Sequence, residues 1–557
     1  MAGCSSQAPK GSRSTLKVVV NIFISFIGAG VLGMPYAFRQ AGLAEGALIM
    51  VLVCFFSVKA MLILIECKYT ILAQLQSHHD HRPLLSSYSD DTADGILLDD
   101  EDFSAEVNGV GVKGRQHHEY DGRKPSTVTN RHYAADRQLT AGKKTEPLSE
   151  YITYSDVGYY AAGVMGQRLV DFSIVVSQVG FSCAYLIFIT ENMSSYFPSV
   201  DRQSWLFLIL PPLFLLTLYR ELHKLAFFSL FAQISNLLAF AVVFWFDFDH
   251  IHQAKQRAHP TQWSYEGLPF FFAVAIYCYE GAGMILSLEM SVAKEKRHKF
   301  RKYFVMVIVF MTILYIAFGA CGYLSFGANT NPIITLNLPN DAGFNFAMLV
   351  KLCLCFSLFF TYPVMIFPVT ELMEKQGLVG DVRWRQWLLR LMVVSATGLV
   401  VTYIPSFANL MSLIGATCCT LLAFILPGMF HLLLKRRLDS QSRYFDYWLV
   451  FLGLMGAFVG TMDTIHRLYS QRDVTAQAEQ TGPLLANKTR EAFVESKNDT
   501  SLLGHVGHIV GHVVAKAAAK AHHPGNNNST RLNATSTLGP KVVGAGIATT
   551  SATLRPK

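Results

Sequence analysis

Charge is what this chain has least of. Asp, Glu, Lys and Arg make up only 15% of its residues, against 51% hydrophobic, and mean hydropathy is +0.31. Soluble domains carry about a quarter charged residues, so an ordinary soluble protein is excluded. Catalytic signatures are missing too: there is no Walker loop, zinc-ligand pair or nucleophile elbow. The sequence therefore points away from an enzyme, and no catalytic residue, metal site or cofactor is expected. Ten cysteines are present, but all except Cys4 and Cys67 lie in apolar runs. Their spacing gives no disulfide framework, and in such runs cysteine serves as a small apolar filler. No cleavable signal peptide precedes the first apolar run, and glycine does not follow Met1 directly as N-myristoylation requires.

What the chain has instead is blocks of about 20 apolar residues, the length that crosses a bilayer. Eleven can be counted, near 16–38, 43–66, 165–190, 204–219, 225–246, 268–290, 303–326, 344–370, 386–404, 408–434 and 444–469. The fourth is short and holds Pro211-Pro212. The reading is an all-α integral membrane protein with one compact membrane domain. Its parts are an N-terminal tail (1–15), spans 1 and 2 (16–68), an insert (69–157), spans 3 to 11 (158–470) and a tail (471–557). The insert has few apolar residues and an acidic cluster at Asp99 to Asp102, so disorder is expected there and in most of the tail.

The net charge of +8 lies mainly in short loops beside apolar runs, which fits a membrane rather than nucleic acid. Lys10, Arg13 and Lys17 precede span 1, Lys294 to Lys302 follow span 6, and Lys435, Arg436, Arg437 and Arg443 follow span 10. The loops after spans 7 and 9 have no Lys or Arg. The positive-inside rule then puts the N-terminus in the cytosol and, with an odd span count, the C-terminal tail outside or in a lumen. That tail carries candidate glycosylation triplets at Asn487, Asn498, Asn527, Asn528 and Asn533. On the cytosolic side, Asp80 with Leu84 and Leu85 forms an acidic-dileucine pattern of the kind sorting adaptors read. Such a pattern also arises by chance; read as a signal, it would route the protein to a vacuolar or lysosome-like membrane. His505, His508 and His512 share one helical face in the tail, as a pH-responsive helix or by chance.

Two stretches interrupt their spans. Gly28, Gly30, Gly33 and Pro35 crowd into the middle of the first, and Glu280, Gly281 and Gly283 into the sixth. Gly and Pro weaken a helix. An opened helix at mid-membrane presents N–H and C=O groups to a small zwitterion, and a pair of such breaks is the sequence pointer to a transporter's site. Small residues also serve close helix packing. Around the breaks, Gly28, Ala29, Gly30, Tyr277, Tyr279 and Gly281 are candidate substrate-binding residues. Ser357 and Thr361, one turn apart in span 8, either bind substrate or bond back to their own helix. Glu280 is the candidate proton-coupling residue, since an acid at that depth is costly; capping the broken helix is the alternative. Glu289 is expected to reach water, Asp171 and Glu191 to sit at the interface, and Lys59 and Lys351 to snorkel.

Gly28-Ala29-Gly30-Val31-Leu32-Gly33-Met34-Pro35 resembles the first-helix signature of the amino acid/auxin permease family. Ser177 to Phe181 with Ala184 to Phe188 resembles its third helix, and Tyr279-Glu280-Gly281-Ala282-Gly283 its sixth. Tyr315 to Gly319 with Gly322 to Gly327, Phe359 to Pro363, and Phe424-Ile425-Leu426-Pro427 resemble the seventh, eighth and tenth. The likeness spans the apolar blocks and omits the insert and tails. It is nearest the vacuolar neutral and aromatic amino acid transporters and the animal proton-coupled ones. The resemblance implies eleven helices in a LeuT-type 5+5 inverted repeat plus one extra helix, substrate at the two breaks, and alternating access driven by protons. One departure counts: the animal proton-coupled branch has a histidine in helix 1 where this chain has Asn21. The partners expected are an amino acid, protons and the bilayer. A transceptor signalling amino acid binding through the cytosolic insert is the other reading.

Overall fold

The computed structural model describes residues 14–86, 152–218, 234–248 except 236 and 247, 261–338, 346–375, 382–435 and 439–496. Among them, eight helices are long and apolar enough to cross a membrane, or nine if the bent pair Thr15–Phe26 and Ala29–Ala41 is one span. Two shorter apolar helices, Arg202–Thr217 and Leu237–Phe246, fall where spans 4 and 5 are expected. Helix is the answer hydrocarbon imposes, because it satisfies each N–H and C=O within the segment.

In chain order the helices are α1 (Thr15–Phe26), α2 (Met34–Ala41), α3 (Leu43–Ser86), α4 (Tyr154–Tyr196) and α5 (Arg202–Thr217). Then come α6 (Leu237–Phe246), α7 (Leu268–Cys278), α8 (Ala282–Met290), α9 (Arg297–Phe326) and α10 (Phe346–Lys375). Last are α11 (Arg383–Tyr403), α12 (Phe407–Ile414), α13 (Leu426–Leu434) and α14 (Ser440–Ser496). Two helices outrun the sequence reading. The α3 helix continues to Ser86, into the expected insert, and α14 continues to Ser496, into the expected tail. A helix already nucleated in the bilayer adds each further residue cheaply, so polar composition alone does not end it. The chain divides into two units at Leu468–Tyr469; the described part of the second is helix. Residues 87–151, with the acidic cluster, lie outside the described residues, as do Asn498, Asn527, Asn528, Asn533 and the tail histidines. So do the side chains of Asp80, Leu84, Leu85 and Asn487.

The start of α4 has a local cause. Thr153 and Asp156 form a capping box: the Thr153 N–H donates to Asp156 Oδ2 at 2.8 Å and the Asp156 N–H donates to Thr153 Oγ1 at 3.2 Å. The helix kinks at Ala162–Gly163, where Gly163 takes φ +64°, a region glycine enters without a Cβ penalty. The opening turns fold back so that Gly158 meets Gly166 backbone to backbone.

Burial ranks the helices. Of the apolar window in Phe407–Leu434, 78% is buried, against 22% in α14, so the former is central and the latter peripheral. The α7 helix is apolar on every side and buried from Phe270 to Cys278 except at Phe272, the pattern of a core helix. It packs on the wide turns Gly415–Cys419, which with Leu421–Ile425 form π-helix. Thr420 Oγ1 donates to the Gly415 carbonyl at 2.6 Å. A Cβ on Gly415 would lie 2.0 Å from the Ala273 carbonyl oxygen.

Several charges are deeper than their place in the sequence implies. Glu289 does not reach water: Lys68 Nζ donates to its Oε2 at 2.6 Å and the Tyr69 hydroxyl to its Oε1 at 2.5 Å. Lys68 is 0% and Glu289 1% exposed, and the pair ties α3 to α8. Asp171 is buried and accepts from Ser155 at 2.5 Å, because the kink of α4 covers it. Lys351 is buried rather than snorkelling, with Nζ 5.0 Å from the centre of the Tyr196 ring. Lys59 is exposed, and Glu191 pairs with Arg202 at 3.0 Å. His431 and Asp446 form a buried pair at 2.7 Å, beside the Glu66–Lys435 ion pair.

Two stability predictions follow from these contacts. Gly415→Ala is expected to cost about 1–3 kcal/mol through overpacking and to lower the thermal midpoint of the purified protein, while Gly283→Ala, whose Cβ meets nothing within 4 Å, leaves it in place. Lys68→Met, which leaves the buried carboxylate only the Tyr69 hydroxyl and a longer contact to Arg297, is expected to cost about 3 kcal/mol, and adding Glu289→Leu is expected to recover most of it. A Lys68→Met midpoint equal to that of the parent protein contradicts the pairing.

Candidate functional site

The first interruption follows α1. Its last residue is Phe26; Ile27 (φ −78°, ψ 109°) and Gly28 (φ −130°, ψ 178°) are extended. A 3-10 turn, Ala29–Gly33, leads into α2, and the two halves are bent by 49°. A helix end leaves carbonyls without intrahelical partners. Here the Phe26 carbonyl accepts from the Tyr315 hydroxyl of α9 at 2.8 Å. Gly28 borders open space, with nothing within 4 Å of where a Cβ would stand. Ala29 and Gly30 are buried.

The second interruption joins α7 to α8. The α7 helix ends at Cys278, Gly281 takes φ −164° and ψ 2°, and α8 begins at Ala282. The Glu280 carboxylate accepts from the backbone N–H groups of Ala282 and Gly283. Negative charge at a helix N-terminus is favourable, so Glu280 does cap the restarted helix. Its Oε2 is also buried with no hydrogen-bond partner among the described residues. Such an atom is costly to leave unmet. The restarted helix packs on the wide turns Leu421–Ile425 after α12.

The two interruptions touch. A Cβ on Gly281 would sit 2.3 Å from the Phe26 ring, and one on Gly30 2.9 Å from the Tyr277 ring and 3.1 Å from Cys278 Sγ. Cys278 Sγ is 3.6 Å from Met34 Sδ. Tyr277 is buried edge-on to Phe181 of α4, ring centres 4.9 Å apart. Gly30, Tyr277 and Gly281 are thus brought together with Glu280 beside them. Tyr279 turns the other way, its hydroxyl donating to Thr312 Oγ1 at 2.6 Å. Ser357 and Thr361 lie on α10, which packs on α4, and Thr361 Oγ1 donates to the Ser357 carbonyl at 2.8 Å. Sequence reasoning missed Tyr315 and Lys68. A hydroxyl inside an apolar run, or an ammonium just past the end of one, was the available signal, but nothing in the sequence names the partner.

The sequence matches the family described as transmembrane amino acid transporter protein over residues 11–87 and 138–466. Amino acid transporter ANT1 of Arabidopsis thaliana is 30% identical over 492 residues, covering 83% of this chain and 94% of that one. Amino acid transporter AVT3C of the same plant is 32% identical over 482 residues, covering 82% and 92%. Among solved structures, a manganese transporter of Eremococcus coleocola aligns over 93% of this chain and 98% of that one, at 10% identity and a TM-score of 0.39, a likeness too slight to argue from. Both interruptions and all the helices from α7 to α13 fall within the matched residues, and the chain belongs to the transmembrane amino acid transporter protein family.

Proposed function

We propose that this chain is a secondary-active transporter of neutral, including aromatic, amino acids, driven by protons through alternating access about its two interruptions. The observation that carries the reading is their contact: two helix ends meet at Phe26, Gly30, Tyr277 and Gly281, with a carboxylate oxygen of Glu280 buried and unmet beside them. Free N–H and C=O groups at such ends match the carboxylate and ammonium of an amino acid. Gly28 leaves the room, and the rings of Tyr277 and Phe181 give an apolar wall that accepts a neutral side chain.

Glu280 then links protons to shape. Ionised, it makes charge-assisted bonds to the start of α8; protonated, it loses their added strength and gains a donor. Proton binding and the grip on α8 are therefore one equilibrium. Eleven spans, in two inverted sets of five plus one, remain the architecture we assign, with α5 and α6 as spans 4 and 5. The loop cations support a cytosolic N-terminus. The dileucine pattern at Asp80, Leu84 and Leu85 supports a vacuolar or lysosome-like membrane.

In liposomes carrying the purified protein, labelled amino acid uptake is expected to rise under an imposed pH gradient, and Glu280→Gln to abolish that rise. Gradient stimulation persisting in Glu280→Gln would remove Glu280 from the coupling. Gly28→Ala is expected to leave the thermal midpoint alone and raise KM by roughly 10–200-fold, the effect of one methyl group in a filled site. Unaltered uptake kinetics would place the substrate elsewhere.

A further inference from the structure

His431 is buried where α13 packs against α3 and α4, and neither the family match nor the transport reading assigns it a role. Its Nδ1 shares a proton with Asp446 Oδ2 of α14 at 2.7 Å, and Asp446 is 0% exposed. On the other side of the ring, Nε2 is buried with no hydrogen-bond partner among the described residues. The acid near it is Glu66 of α3, whose Oε1 lies 3.9 Å away. Glu66 is 44% exposed and lines a cavity of about 650 Å³ where α8 gives way to α9. The ring therefore stands between a sealed carboxylate and one that opens to a cavity. The other charged and titratable groups near it come from each neighbouring helix. From α3 comes the free Cys67 thiol, while Lys68 is engaged by Glu289 of α8. Lys435, just past α13, and Arg301 of α9 both attend Glu66. Tyr154 of α4 donates its hydroxyl to the Leu422 carbonyl at 2.8 Å. On α14, Arg443, Tyr444 and Tyr447 are exposed. Glu289, Lys294, Arg297 and His298 line the cavity with Glu66.

An imidazole that gives its Nδ1 proton to a carboxylate keeps a lone pair on Nε2. Here that lone pair is sealed from solvent and meets no donor, an arrangement that costs free energy. A proton on Nε2 removes two costs together. The buried Asp446 carboxylate gains a counter-charge, and Nε2 gains a hydrogen with Glu66 Oε1 as its acceptor. A shift of about 1 Å brings the 3.9 Å separation to the length of a charge-assisted bond. One ring then ties α13 to α3 and α14. We propose that His431 is a second proton-binding site, separate from Glu280, and that its protonation fastens these three helices and slows transport. The effect on transport rests on the transport reading; the proton site does not. The ring lies at the end of the bundle that carries Lys435, Arg436, Arg437 and Arg443, the end that the charge rule assigns to the cytosol. Protons delivered there would act back on the cycle that delivers them.

The test uses the full chain, purified, at pH about 5.5 and about 8, on either side of imidazole titration. The thermal midpoint of the parent is expected to exceed that of His431→Gln by a wider margin at the lower pH, because glutamine can still bond Asp446 but takes no proton. Glu66→Ala, at a part-exposed position, is expected to show the same acid-dependent margin, and it decides the matter if His431→Gln does not fold. In liposomes held at equal pH on both faces, exchange of labelled for unlabelled phenylalanine by the parent is expected to run about tenfold slower at the lower pH, the worth of one charge-assisted bond. Both variants are expected to lose that slowing, and Glu280→Gln to keep it. Margins that do not change with pH would overturn the proton site. Equal slowing in the parent and in His431→Gln, or loss of the slowing in Glu280→Gln, would overturn its control of transport. Absence of phenylalanine exchange by the parent at both pH values would count against the transport reading, and the midpoints would still decide the proton site.

Discussion

Backbone hydrogen bonds in hydrocarbon set the terms for this molecule. With no water to turn to, each N–H and C=O must be met from within the protein, and the two interruptions depart from the helix that does this automatically. Each is sustained in part by a distant part of the chain. Tyr315, 289 residues away, donates to the Phe26 carbonyl, and Phe26 in turn covers Gly281. Glu280 takes the N–H groups of Ala282 and Gly283. Each interruption is thus a property of the assembled bundle: α9 supports the first, and the first supports the second.

That arrangement demands close approach, and glycine supplies it where backbone must meet backbone. Gly415 sets the π turns against Ala273 in the last full turns of α7, and Gly267 sets the start of α7 against the Gln40 carbonyl, where a Cβ would stand 2.1 Å away. The α7 helix is therefore held at its beginning by the end of α2 and along its length by the turns after α12. Its neighbour α8 is tied to α3 by side chains, Glu289 to Lys68 and Tyr69.

Much of this was legible before any coordinates. Glycine crowded into one apolar run, and glycine with an acid in another, mark the two places where the helices stop, because local propensity and lipid make the same demand there. Pairing was not legible. Lys68 and Glu289 lie 221 residues apart, and each sits near the end of its own run, so each alone reads as a residue reaching for water. Asp171 is covered by a fold-back that Gly163 permits, which hydropathy cannot foresee. Tyr279 and Thr361 carry hydroxyls suited to a ligand, yet the fold gives one to Thr312 and the other to its own helix. Composition likewise misplaced the ends of α3 and α14, since polar residues continue a helix that apolar ones began.

The α8 helix brings these points together. It is nine residues long, about 13 Å at 1.5 Å per residue, too short to bend and so obliged to move as a rod. Glu280 caps its start from within the same segment, with one carboxylate oxygen unmet, whereas Glu289 ties its other end to Lys68 and Tyr69 of α3. The cap fixes where the helix restarts; the ion pair fixes where it lies. A change that breaks the Lys68–Glu289 pair therefore releases α8 from α3 without undoing the interruption that precedes it.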